Sequence, residues 1–276
     1  MANIVGGFLI PHDPLILSAP QMAEPEQSAA VHKAFSDVAD RARALQPDTV
    51  VVIGDDHFTN FGPHCIPRYL IAVGDVEGPV EEWLGPKRRA IPNNAPLANH
   101  IMTSGFDEGI DWAFAKSLTV DHSIMVPFEL VVSSLPGIKT IPVYLNSAVE
   151  PVLSSARSRD IGDSIRRAVE SWPGDERVVI IGTGGISHWV GDAQMGRVNV
   201  EFDQRILKMV SDGDIDALVA LKDEEVLLEG GNGCLEIRNW ICAMAAVPHG
   251  TVEVLAYEPV PQWICGLGFV DLGLAA

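Results

Sequence analysis

The stretch TVVVIGDDHF, residues 49–58, decides the reading of this chain. Its first five residues are all β-branched and show no polar alternation. That is the pattern of a strand covered on both faces, as in a parallel sheet sandwiched by helices. Gly54 and two aspartates stop the run, and His57 stands three residues past its end. Working outward, residues 3–10, 68–73, 139–145 and 177–182 read as further strands, with 112–116 extended. Between them lie segments of helical period. In 24–46, Val31, Ala34, Phe35, Val38, Ala42 and Leu45 fall on one face; 97–104 is a shorter helix, and 151–172 is a helix that opens on Pro151. The last third predicts helices over 198–211, 214–221 and 235–247, the last entered through glycines 230–233, and strands over 251–257 and 268–270. Strands alternating with helices define an α/β fold around a mostly parallel or mixed sheet. With no repeat, low-complexity tract or flexible linker, residues 1–276 read as one catalytic-sized domain. The longest irregular segment, 74–96, is the expected loop over a site.

Composition narrows the partners. Nineteen Lys and Arg against 37 Asp and Glu give a net charge of −18. Such a surface repels nucleic acid and anionic lipid, so neither is an expected partner. The residues are 47% hydrophobic with a mean hydropathy of +0.18, which calls for a large two-sided sheet or a surface covered by a partner. No apolar run reaches the roughly 20 residues that cross a bilayer, and the N-terminus lacks a basic segment before its apolar stretch, so no membrane and no signal peptide are expected. Cys65, Cys234, Cys242 and Cys265 form no CxxC pair, the usage of a reducing compartment, and the cytoplasm is the expectation.

Histidine placement carries the chemistry. His12 follows the first strand by two residues, His57 follows 49–54 by three, and His188 follows 177–182 by six. Open α/β sheets bind ligands outside the carboxyl ends of their strands. If these strands are parallel neighbours, three imidazoles share one rim. Glu236 opens a helix after a glycine-rich approach; alone it is explained by the helix dipole, but beside rim histidines it becomes a candidate ligand. Two imidazoles and one carboxylate, here His12, His57 and Glu236, form the facial set that suits non-haem Fe(II) and leaves positions open. His122 in TVDHSI and His188 in GGISHW sit in turn-like contexts that suit proton transfer.

Several neighbours carry two readings. Asp55 or Asp56 orients a ligand histidine or merely ends the strand; Asp121 orients an imidazole or caps a helix over 123–130. His64 competes with His57, which is preferred because it lies closer to the strand end. His32 and His100 fall on helices and His249 in a turn, where packing or solvation explains them. GTGGIS at 182–187 lacks the third glycine of a dinucleotide loop, and no phosphate loop, nucleophile elbow or HExxH helix is present.

PHDP at 11–14, GDDHF at 54–58, LTVDHS at 118–123, GGISHW at 184–189 and GNGCLEIRNW at 231–240 together resemble the class III extradiol ring-cleavage dioxygenases. The resemblance is strongest to the catalytic β subunit of protocatechuate 4,5-dioxygenase and its gallate-cleaving relatives, and it runs from His12 to about Phe269. It implies an α/β/α sandwich, Fe(II) held by His12, His57 and Glu236, His188 as acid–base group and His122 as the second active-site histidine. It also implies a catecholic, carboxylated substrate of the protocatechuate or gallate type and dioxygen as co-substrate. Some members work with a small helical α subunit that this chain does not contain, so such a subunit or a homodimer neighbour is a possible partner. Arg68, Lys87, Arg88 and Lys116 are the candidates for a substrate carboxylate. Two other readings compete: a zinc-dependent hydrolase using the same two-His, one-Glu site, and a catalytically silent scaffold.

Overall fold

The computed structural model describes residues 1–147 and 149–274. All nine strands among these residues belong to one mixed sheet. They are β1 (Asn3–Ile10), β2 (Thr49–Gly54), β3 (Tyr69–Gly78), β4 (Arg89–Ile91), β5 (Ala113–Thr119), β6 (Lys139–Leu145), β7 (Arg177–Thr183), β8 (Glu253–Val260) and β9 (Cys265–Asp271). The order is β4-β3-β6-β2-β7-β1-β9-β8, with β5 on the other edge of β3. The middle four, β6, β2, β7 and β1, are parallel; β3 and β9 join them antiparallel on either side.

Every residue of β2 is buried, and its side chains feed two separate cores. Val51 and Ile53 point into one, Val50 and Val52 into the other. The first core is closed by helices Ser155–Ser171, Val200–Ser211 and Ile237–Ala246, the second by Pro25–Ala44 and His122–Leu130. The result is the expected three-layer α/β/α arrangement, with a core on each face of the sheet. No helix among the described residues is long and apolar enough to cross a membrane.

Two expectations need correction. The helix expected from Pro151 begins at Ser155, where the hydroxyl of Ser154 accepts the free N–H of Arg157. Serine outcompetes proline because its side chain satisfies an orphan donor that proline merely lacks. Segment 74–96 is not one long loop: β3 continues to Gly78, a short turn of helix spans Glu82–Leu84, and β4 pairs back onto β3. Asp75 and Glu77 are exposed while Val76 and Gly78 are buried, so this half of β3 alternates where its first half does not.

Candidate metal centre

The parallel registers Ile10↔Thr183 and Ile53↔Gly182 bring the carboxyl ends of β1, β7 and β2 level. His12, His57 and His188 emerge from that one rim. Glu236 ends the short turn Gly233–Glu236 and starts helix Ile237–Ala246, which packs on β7 from the side of the first core. Its Oε2 stands 3.2 Å from His12 Nε2, and its Oε1 stands 3.3 Å from His57 Nε2. Gly184 lets it come so near: at φ +144°, a Cβ there would stand 2.9 Å from the Cβ of Glu236. The next backbone N–H, of Gly185, donates to Glu236 Oε2 at 3.0 Å.

The far nitrogen of each ring is already committed. Thr183 Oγ1 donates to the carbonyl of Ile53, so at 2.8 Å it accepts the Nδ1–H of His12. Asp121 Oδ2 accepts the Nδ1–H of His57 at 2.9 Å and its backbone N–H at 3.1 Å. Both Nε2 atoms therefore turn a lone pair toward the Glu236 carboxylate. Three acceptors at such separations repel unless a positive charge lies among them. The surrounding carboxylates call for positive charge at this point, either a bound cation or a proton on His57 Nε2. Burial alone lowers the His57 pKa, yet Asp55, Asp121 and Glu236 raise it well above the ordinary imidazole value. Burial alone would raise the Glu236 carboxyl, yet His12 and His188 hold it well below the usual range. A cation bonded at about 2.0–2.2 Å places neighbouring donors about 3 Å apart, so the residues present fit a bound metal ion. Donor atoms of His12, Asp55, His57 and Glu236 all lie within 4.8 Å of one another.

The two remaining histidines border the same cleft, of about 220 Å³, with Pro14, Val190, Ile264 and Cys265 among its walls. His188 donates Nδ1–H to the carbonyl of Ile186 at 3.0 Å and leaves Nε2 free, 3.6 Å from Glu236 Oε1. Gly233 lies directly against it; a Cβ there would stand 2.0 Å from His188 Nε2. Burial opposes protonation of His188, but Cys265 and Glu236 raise its pKa well above the ordinary value. The Cys265 thiol is itself pushed up to about 11, chiefly by burial, and so stays neutral; the charge that acts on His188 is that of Glu236, which a cation held by that carboxylate would offset, leaving Nε2 able to accept a proton. His122 is oriented differently. Glu81 Oε1 accepts its Nδ1–H at 2.7 Å and its backbone N–H at 3.2 Å. Burial, reinforced by the nearby His57, lowers its pKa, and its ring lies 4.0 Å from that of His57.

Sequence reasoning therefore brought forward the residues that converge and left some partners open. Asp121 plays both of its readings at once, since its Oδ1 caps the helix through Ser123 N–H at 3.1 Å. The imidazole it orients is His57, however, not the adjacent His122. Asp56 is the turn residue, accepting the N–H groups of Thr59, Asn60 and Phe61. Asp55 is the one beside the ligand set. Thr183 and Glu81 went unnoticed; the first carries no signal beyond ending a strand, and the second is one acid in an acidic run. His64 is exposed and takes no part, while His32, His100 and His249 bond to Ser28, Ser171 and Val247. The carboxylate-binding candidates do not line the cleft: Arg88 is bound to Glu77 and the carbonyls of Pro79 and Val80, and Lys87 faces a surface groove with Glu81 and Glu82.

A parallel-centred α/β/α sandwich with a two-imidazole, one-carboxylate rim site defines the class to which this molecule answers, a candidate metalloenzyme. The chain belongs to the family described as the catalytic LigB subunit of aromatic ring-opening dioxygenase, which matches residues 6–268, and it is an extradiol ring-cleavage dioxygenase. It is similar to proteins named 2,3-dihydroxyphenylpropionate/2,3-dihydroxicinnamic acid 1,2-dioxygenase. That of Photorhabdus laumondii subsp. laumondii is 26% identical, covering 87% of this chain and 89% of its own. That of Cupriavidus necator is 27% identical over 91% and 93%, and that of Paraburkholderia xenovorans 28% over 88% and 90%. The crystal structure of an uncharacterized protein from Escherichia coli K12 shares the fold at a TM-score of 0.61 and 12% identity, covering 98% of this chain and 100% of that one.

Proposed function

We propose that the chain opens catechols bearing a carboxylated side arm, of the 2,3-dihydroxyphenylpropionate type, using Fe(II) held by His12, His57 and Glu236. The observation that carries this is the meeting of two imidazole lone pairs with one carboxylate at 3.2 and 3.3 Å. The substrate class rests on the named activity of the relatives. A ferrous ion, when bound, supplies adjacent positions for the diol oxygens and dioxygen and acidifies the diol. Thr183 and Asp121 hold the ligand rings in the tautomer that presents Nε2. His188, with Nδ1 committed to Ile186, takes a diol proton at Nε2 and returns it as the ring opens. His122, held by Glu81, orients the reacting oxygens from the other wall of the cleft. The apolar walls exclude water.

Exposed Trp83 lies 6.3 Å from the ring of His122, and exposed Val190 lines the cleft. A cover over the cleft, from a small helical subunit or a second copy, belongs to the same reading, as does residence in the cytoplasm. The family match sets aside both the zinc hydrolase and the silent scaffold.

The test loads the protein with ferrous ion under nitrogen, adds 2,3-dihydroxyphenylpropionate, and then admits oxygen. One dioxygen is consumed per catechol, with the absorbance of a ring-opened product. Protocatechuate and gallate, the expectation from the motifs, run in the same panel; faster turnover of either moves the substrate assignment to it. No oxygen uptake with any catechol, despite bound iron, overturns the reading.

A further inference from the structure

We propose that Asp55 is a fourth protein ligand of the metal in the substrate-free enzyme, reaching it from the protein interior; this rests on the metal centre proposed above. Asp55 is 1% exposed, and its Oδ2 has no hydrogen-bond partner. A buried carboxylate oxygen without a donor or cation is costly, and native structures rarely leave one so. A proton on Oδ2 would only exchange a bare acceptor for an unpaired buried O–H, since His57 Nε2 lies 3.7 Å away, beyond hydrogen-bond reach.

The carboxylate is held in that attitude. Asn239 donates one Nδ2 hydrogen to Asp55 Oδ1 at 2.8 Å and the other to the carbonyl of Thr183 at 3.1 Å. The amide cannot reverse without losing both, because its Oδ1 accepts the hydroxyl of Ser147 at 2.8 Å. Oδ1 is thus anchored and Oδ2 is turned to the place where His12, His57 and Glu236 meet. Asp55 does not line the cleft, whereas the other three do. It approaches from behind, away from the side where substrate enters. A second carboxylate also balances a divalent cation that Glu236 alone leaves positive.

The test uses the full chain with Asp55→Asn and Asp55→Ala, loaded with Co(II) as a spectroscopic stand-in. The expected result is metal affinity weaker by about 10–100-fold in chelator competition, with a changed d–d absorption spectrum in the substrate-free protein. Unchanged affinity and an unchanged spectrum overturn the proposal. Should the variants fail to fold, a crystal structure of the metal-loaded wild type decides: Oδ2 at about 2.0–2.2 Å from the metal supports it, and a separation beyond 3 Å overturns it. Failure of the underlying centre looks different, since His12→Ala and Glu236→Ala would then bind metal as well as the wild type.

Discussion

His188→Ala removes a ring whose anchored nitrogen is Nδ1 and whose Nε2 is the atom proposed to handle the proton. We expect turnover to fall by about 10²–10⁴-fold with iron content unchanged in metal analysis. Gly233→Ala should move the same way, because its new methyl displaces that ring. His12→Ala and Glu236→Ala should instead lose the iron. At this scale the sequence was legible where chemistry limits the residue types: few side chains bind iron, and three histidines following strand ends are unusual. It was illegible where a long-range partner decides. Nothing adjacent marks Glu81 as the acceptor for His122, 41 residues on, or Asp121 as the acceptor for His57, 64 residues back.

Elements explain why those partners meet. The Asp121 carboxylate caps the helix His122–Leu130 with one oxygen and holds the His57 ring with the other, so the start of that helix and the end of β2 are positioned together. Asn239, one turn into the helix that follows Glu236, ties the same helix to Asp55 and to the end of β7. Boundaries were readable in the central strands, where unbroken β-branched runs admit one interpretation, and poorly readable at the edge of the sheet. There β3 continues past Gly74 with alternating exposure, a pattern that resembles a loop when Gly and acidic residues supply its polar half. The start of Ser155–Ser171 is a direct check on capping. Ser154→Ala should cost about 1 kcal/mol in urea unfolding and leave turnover unaltered, whereas a cap role for Pro151 would make the substitution silent.

At the scale of the whole molecule, the net charge of −18 acts against an anionic substrate. Salt screens that repulsion, with a Debye length falling from about 30 Å at 0.01 M to about 8 Å at 0.15 M. Over this range kcat/KM for a carboxylated catechol should rise, while that for unsubstituted catechol stays level; equal salt responses would count against repulsion as the cause. Charge, the α/β class, the rim histidines and the glycine-led Glu236 were determined by the sequence alone, because composition and local periodicity are properties of neighbours along the chain. The tertiary structure alone decided which carboxylate holds which imidazole, that Asp55 rather than Asp56 lies with His12, His57 and Glu236, and that none of Arg68, Lys87, Arg88 and Lys116 lines the cleft. Those outcomes depend on strand order and register, which bring together atoms far apart in sequence, and no local preference encodes them.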